Sequence, residues 1–224
     1  MSEEILFKNN YYPNGITKTE VISHYKKYKN IIIKETNNRP VLLFIFTDQK
    51  NYIVKRKIND KPIILNEQNY ENILFNRVVS LSVEVPNNPN FIIIDVDQKS
   101  TPNEQEIKQA LSDLLNTSFI KNPLVSGYRV LSSANSYHLW LLLKSRKNID
   151  VLRNITEKYI KLELGDKYLI NNKGNVKSSI NLDISTVMKK RGAYTVPFAL
   201  CRNGLVSLDV TTNWKTFKRE SARV

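Results

Sequence analysis

The run Phe91-Ile92-Ile93-Ile94-Asp95-Val96-Asp97 constrains this chain more than any other stretch. Four large apolar residues, three of them β-branched, read as a buried strand. Side chains alternate across a strand, so Asp95 and Asp97 leave its end on the same face. Two carboxylates side by side repel each other and are costly to bury unless a cation joins them. A hard divalent ion, Mg²⁺ or Mn²⁺, held by oxygen ligands and often shared with substrate phosphates, meets that demand. A solvated strand end with two charges is the commoner origin of such a pair. The rest of the chain has to decide between them.

The length of 224 residues suits one domain, or one with a small appendage. A hydrophobic share of 41% is enough for a real core. Lys and Arg number 34 against 21 Asp and Glu, and the net charge of +13 fits a polyanionic partner such as nucleic acid or nucleotide phosphates. A lysine-rich surface without a partner gives the same figure, so charge alone does not settle function. Cys201 is the single cysteine. It excludes an internal disulfide framework and any cysteine-rich zinc site. A reducing, intracellular setting is the default, cytoplasmic or, in a eukaryotic or viral context, nuclear. Ser2-Glu3-Glu4 is acidic and polar, so no signal peptide is expected. No apolar run approaches the ~18 residues that span a bilayer, so no membrane partner is expected.

Along the chain, Tyr11 to Gly15 reads as a turn. A short helix follows, capped by Thr17 or Thr19, with Val21, Ile22, Tyr25 and Tyr28 on its apolar face. Val41 to Phe46 is a strand, Asp48 to Asn51 a turn, and Tyr52 to Lys57 its hairpin partner. Residues 69–79 read as an amphipathic helix and Leu81 to Val85 as a strand. After Asp97, Thr101-Pro102-Asn103-Glu104 reads as a capping box, followed by Ile107, Ala110, Leu111, Leu114 and Leu115 at helical spacing. Val125 to Gly127 and Arg129 to Ser132 lead to a second strand expected at Tyr137 to Leu143, and a third is expected at Ile180 to Ile184. A helix is expected from Ile149 to Leu164. The class is mixed α/β, with central strands and crossover helices. The expected division is a domain over 1–212 and a basic tail over 213–224.

Two further pieces join the acidic pair. Ser132-Ser133-Ala134-Asn135-Ser136-Tyr137-His138 places small hydroxyls and a His at the start of an apolar strand. Such hydroxyls, backbone N–H groups and a His can cradle phosphate oxygens. A core His satisfied by a backbone carbonyl is the commoner single-residue reading. His24 receives no role. Asp183 closes the short apolar strand Ile180-Asn181-Leu182. Alone such an Asp is a turn residue more often than a ligand; placed near Asp95 and Asp97 it would complete a three-carboxylate site able to hold two metal ions about 4 Å apart.

The ordered triple Asp95-Val96-Asp97, Ser136-Tyr137-His138 and Leu182-Asp183 resembles the archaeo-eukaryotic primase superfamily. Gly15-Ile16-Thr17-Lys18, the Tyr25 helix and Arg39-Pro40 look like the opening of the polymerase domain of bacterial ligase D. Asn51 to Lys55 looks like that family's aromatic-Lys hairpin strand. The stretch from Leu182-Asp183 to Pro197-Phe198, then Gly204 and Ser207, looks like the closing motif of the primase small subunit. The resemblance covers roughly 11–209.

It implies a catalytic core of mixed β-sheets forming a cleft flanked by helices, and a template-dependent nucleotidyltransferase acting on DNA. It assigns Asp95, Asp97 and Asp183 to two Mg²⁺ or Mn²⁺ ions; no zinc is expected, since the zinc-binding module of cellular primase small subunits is not found in the sequence. It places Ser132, Ser133, Ser136 and His138 against the incoming NTP or dNTP. Lys55 would reach the same phosphates, or Arg56 or Lys57 in its stead, since the strand register is open. Ala134 and Asn135 stand where the family usually has basic or glycine residues. Thr195, Ala199 and Cys201 stand where primase small subunits usually carry a basic residue, a serine and a His. Arg191 is therefore a further candidate for the nucleotide, and Lys189, Lys190 and Arg202 for the nucleic-acid backbone. Protein partners implied are a large primase subunit, a helicase or a repair factor.

Three other readings compete. A glycosyltransferase also uses Asp-x-Asp, but it explains neither the basicity nor Ser-x-His. A non-catalytic nucleic-acid-binding subunit would leave clustered carboxylates unused. An end-joining repair polymerase differs from a primase in role rather than in chemistry.

Overall fold

Apolar runs become paired strands here, and the capped amphipathic segments become helices that cover them. The computed structural model describes residues 3–46, 52–76, 78–98 and 103–224. The chain divides into two units. Unit 1 comprises Met1–Glu84, Tyr194–Leu208 and Lys218–Val224, and unit 2 comprises Val85–Ala193 and Asp209–Phe217.

Unit 1 opens with β1 (Ile5–Phe7) paired antiparallel to β2 (Ile16–Thr17). Helices α1 (Lys18–Lys27) and α2 (Lys29–Thr36) follow. Thr17, not Thr19, is the cap: its hydroxyl accepts from Glu20 N at 3.2 Å, and Glu20 accepts from Thr17 N at 2.8 Å. The reciprocal pair satisfies two otherwise orphaned donors. Val21, His24 and Tyr25 are the buried face of α1.

Strand β3 (Val41–Phe46) pairs with β4 (Tyr52–Lys55). The expected strand to Lys57 is interrupted. Lys57 instead opens β5 (Lys57–Ile58), which forms a separate ribbon with β6 (Lys61–Pro62). Arg56 lies between β4 and β5 and pairs with Glu84 at 3.2 Å. The expected turn at Asp48 to Asn51 lies outside the described residues. The expected helix over 69–79 is shorter: α3 (Tyr70–Leu74) stops and Val78 opens β7 (Val78–Glu84). Pairing of β7 with β3, which buries Val78, Leu81 and Val83, overrides the local helical spacing.

In unit 2, β8 (Phe91–Gln98) is central. Around it lie α4 (Glu104–Leu115), β9 (Val125–Ser132), β10 (Tyr137–Leu143), α5 (Ile149–Leu164), β11 (Leu169–Ile170) and β12 (Ile180–Asp183). The sheet order is β11-β12-β8-β10-β9, antiparallel except for β11 with β12. Asn103 caps α4, accepting from Gln105 N and Glu106 N, while Thr101 and Pro102 of the expected capping box lie outside the described residues. Ile107, Ala110, Leu111 and Leu114 of α4 are buried. Tyr137 hydrogen-bonds Glu104 of α4, so Tyr137 and its register partner Val96 mark the helix-covered face of the sheet.

A late strand, β13 (Ala193–Thr195), completes the four-stranded sheet of unit 1 in the order β13-β7-β3-β4. Residues 213–224, read from the sequence as a basic tail, carry packed positions. Trp214 and Phe217 are buried, and Lys108 Nζ donates to Phe217 O at 2.7 Å within unit 2. In unit 1, Val206 N donates to Ala222 O at 2.8 Å.

His24 is a core residue of unit 1, with Nε2 2.8 Å from Phe198 O. Burial pushes its pKa down, against a smaller upward pull from the Phe198 carbonyl, and Lys27 pushes it down further. As pH falls through about 6.5, the unfolded chain takes up this proton before the folded one. The unfolded state then binds more protons, and stability falls with pH. Lowering the pH from about 7.5 to about 5 is expected to cost the wild type a few degrees of Tm more than His24→Gln. Equal slopes for the two proteins would assign the effect to another group.

Candidate active site

Strand register brings the acidic residues together. Asp95 of β8 pairs with Asp183 of β12 on one side and with His138 of β10 on the other. Directly paired residues share a face, with Cβ atoms about 4.5–5.5 Å apart. Asp183, Asp95 and His138 therefore form a row across three neighbouring strands. Asp97 lies on the same face, two residues or about 6.5 Å further along β8, where it pairs with Asn181. This is the face opposite the one that Val96 and Tyr137 present to α4.

His138 Nε2 is 3.5 Å from Asp95 Oδ1, an ion pair when the ring is protonated. Both side chains are largely enclosed, and neither the buried Nδ1 of His138 nor the buried Oδ1 of Asp95 has a hydrogen-bond partner. Buried polar atoms are ordinarily satisfied, so these two are the polar atoms of the row open to a further hydrogen-bonding or coordinating group. Asp183 differs. Its Oδ1 accepts from Thr186 N at 2.9 Å and Ser185 Oγ at 3.2 Å, and its Oδ2 from Thr186 Oγ1 at 2.5 Å. Asn171 steadies this strand end, its Oδ1 accepting from Ile184 N at 2.8 Å and Ser185 N at 3.0 Å.

Among the described residues, no three His, Cys, Asp or Glu side chains close into a ready-made metal cluster. The donor set nevertheless fits a hard cation at Asp95 and Asp97: carboxylate oxygens on one face, with Asp95 Oδ1 buried and lacking a hydrogen-bond partner. Asp183 adds its charge from the adjacent strand, and its Oδ2, which accepts one hydrogen bond from Thr186 Oγ1, keeps a lone pair for a cation.

Compared with solved structures, the chain matches the polymerase domain of ligase D from Mycobacterium tuberculosis, solved in complex with DNA. The TM-score is 0.70 at 12% identity, over 96% of this chain and 87% of that one. The fold is that of the ligase D polymerase domain. At the level of sequence, no protein-family model matches and no curated protein does. Among the described residues, no helix is long and apolar enough to cross a membrane.

Within this polymerase-domain fold, the expected phosphate-facing residues fall into separate groups. Ser133 N donates to Ser136 O at 3.0 Å, closing a tight turn with Ala134 and Asn135 at its tip. Ser136 leads into β10, one residue before Tyr137. Ser132 pairs with Tyr137, which puts it on the helix-covered face, opposite His138. Lys189, Lys190 and Arg191 are exposed in the turn that follows Asp183 in unit 2. Lys55, Lys57 and Arg202 are exposed residues of unit 1. Arg202 donates to Tyr52 Oη at 3.0 Å and lies over the Phe44 ring at 5.1 Å.

Arg129 was not singled out in the sequence, yet it belongs to the acidic face. It pairs in register with Trp140, lies 5.9 Å from that ring's centroid, and donates to Asp209 at 2.9 Å. Burial pushes the Asp209 carboxyl up, but the Thr211 hydroxyl and N–H and the Arg129 guanidinium outweigh it and hold the pKa below the usual range. The spacing Asp209-Val210-Thr211 is the sequence signal that marks this turn.

Proposed function

We propose that the chain is a DNA-directed nucleotidyltransferase that makes or extends primers on a template. The observation that carries this reading is the row Asp183–Asp95–His138, with Asp97 on the same face, in a chain with the fold of a polymerase domain solved with DNA. Asp95, Asp97 and Asp183 are the proposed holders of two divalent ions, Mg²⁺ or Mn²⁺. Bound there, such ions lower the pKa of an attacking 3′-hydroxyl and neutralise the triphosphate. No side-chain base is required.

The chain's own residues position the nucleotide. A protonated His138 has two donors: Nε2 toward Asp95, and the partnerless Nδ1 for a phosphate oxygen. The Ser133–Ser136 turn offers hydroxyls and backbone N–H groups at the start of the same strand. Lys189, Lys190 and Arg191 supply positive charge next to the strand of Asp183. Lys55 and Lys57 are proposed for the nucleotide and Arg202 for the nucleic-acid backbone. The net charge of +13 supports binding to template and primer backbone.

The test is a primer-free and a primed assay on single-stranded template, with labelled NTP and dNTP in parallel and either metal. Template-dependent incorporation is expected. Its absence under every condition, from folded protein, would overturn the proposal. His138→Ala is expected to raise KM for nucleotide about tenfold, the loss of one charge-assisted hydrogen bond. Template Kd should change less than about twofold. Equal loss of nucleotide and template binding would remove His138 from the assigned role.

A further inference from the structure

A second feature of unit 2 lies on the helix-covered side of its sheet, away from the acidic face. It is a groove of about 540 Å³ between α5 and the segment 119–125, with Phe119, Leu124, Leu143, Val151, Ile155 and Tyr159 among its walls. Helix α5 already buries Leu152, Thr156, Ile160 and Leu164. Its outer face should then be polar. Instead it carries Val151, Ile155, Tyr159 and Leu162, all exposed, with Leu162 at 81% and Leu124 across the groove at 59%. The Phe119 and Tyr159 rings lie 5.5 Å apart and brace one wall. A contiguous apolar strip of this kind, rimmed by charge, marks an interaction surface.

The spacing and the charge select the occupant. Steps of four, four and three residues run along about three helical turns, or roughly 16 Å. That length and period suit another helix laid alongside, with its own apolar residues at i, i+4 and i+7. The acidic groups of the region already have partners. Asp150 and Glu157 pair with Arg153 at 3.1 and 3.9 Å, and Glu163 accepts from Ser118 N and its hydroxyl. Lys147 and Lys158 line the groove, Lys161 lies one turn from Lys158, and none of the three has an ion-pair partner among the described residues. A second copy of this chain would set these lysines against their own counterparts, under a net charge of +13 on each molecule. A nucleic acid would answer the lysines but leave the apolar floor uncovered. We propose that this groove docks an amphipathic helix of a partner protein, with apolar residues on one face and Glu or Asp along its flanks.

The inference does not depend on the catalytic reading, and its test uses binding alone. The probe is a fluorescein-labelled peptide of about 18 residues with Leu at i, i+4, i+7 and i+11 and Glu on the flanks. Two controls accompany it: a scrambled peptide of the same composition, and one with Lys in place of Glu. Fluorescence anisotropy on the full chain is expected to show saturable binding at least about tenfold tighter than for the scrambled peptide. Ile155→Glu, an exposed change that should leave Tm and nucleotide incorporation unaltered, is expected to weaken it at least about tenfold. Lys158→Glu should weaken the acidic peptide and strengthen the Lys-flanked one. No saturable binding, equal binding of the scrambled peptide, or an unchanged affinity for Ile155→Glu would each overturn the proposal. So would displacement of the peptide by single-stranded DNA, or a dimer in sedimentation that Ile155→Glu dissolves.

Discussion

Replacing Asp97 by Ala is expected to lower nucleotide incorporation by about 10³-fold or more while leaving template binding intact. The expectation rests on charge. A carboxylate that holds a divalent ion supports several kcal/mol of transition-state stabilisation, and each 1.36 kcal/mol is a factor of ten in rate. The proposed template contacts are cations, so removing an anion should leave Kd unchanged or slightly lower. Stability should move the other way from activity. Asp95, Asp97 and Asp183 share one face on neighbouring strands, and like charges so placed repel. Asp97→Ala should therefore raise Tm slightly in the absence of metal. Millimolar Mn²⁺ should raise Tm of the wild type by mass action and do less for the variant. Loss of incorporation with a lowered Tm, or an equal response to Mn²⁺, would mean that Asp97 is structural and the site lies elsewhere.

The parts of this fold legible in the sequence are those with strong, uninterrupted periodicity. The strand Tyr137–Leu143 and the helix Ile149–Leu164 fall where the residue pattern puts them. The acidic strand runs one residue beyond Asp97, because Gln98 pairs with Ile180. Resemblance supplied what periodicity cannot. Nothing local to Asp183 says that it pairs with Asp95, since the contact spans most of unit 2 and its closure depends on β11 and Asn171. The helix read over 69–79 failed for the complementary reason: Val78 belongs to a ladder with β3, and that pairing is invisible in a local window. The Arg129–Asp209 contact, 80 residues apart, was beyond reach in the same way. The Thr186 clamp was within reach. Asp183-Ile184-Ser185-Thr186 has the spacing at which a carboxylate accepts from the N–H three residues on.

That clamp leads into the turn where the largest stability effect is expected, for Gly192→Ala. Gly192 is buried, and a Cβ placed there would lie 1.9 Å from Val187 O and 2.9 Å from Lys189 O. Both atoms are backbone, so no side chain can swing aside to make room. The turn itself is tightly bonded: Lys189 N donates to Val187 O at 2.9 Å, Gly192 N to Lys189 O at 2.8 Å, and Val85 N to Gly192 O at 2.8 Å. A methyl group breaks at least one of these bonds, and the expected cost is about 2–3 kcal/mol or more. Urea unfolding should shift to a lower midpoint, and trypsin should cut faster after Lys189, Lys190 and Arg191. Arg191→Gly provides the opposite control. Arg191 sits at φ +60°, where glycine has no steric penalty, so this change should leave the midpoint unchanged or slightly higher. Because the turn continues the chain from Asp183, Gly192→Ala should also raise KM for nucleotide. A wild-type midpoint and cleavage rate for Gly192→Ala would show that the Val187 carbonyl does not close over this position in solution, and that the basic turn is held by something other than its own backbone.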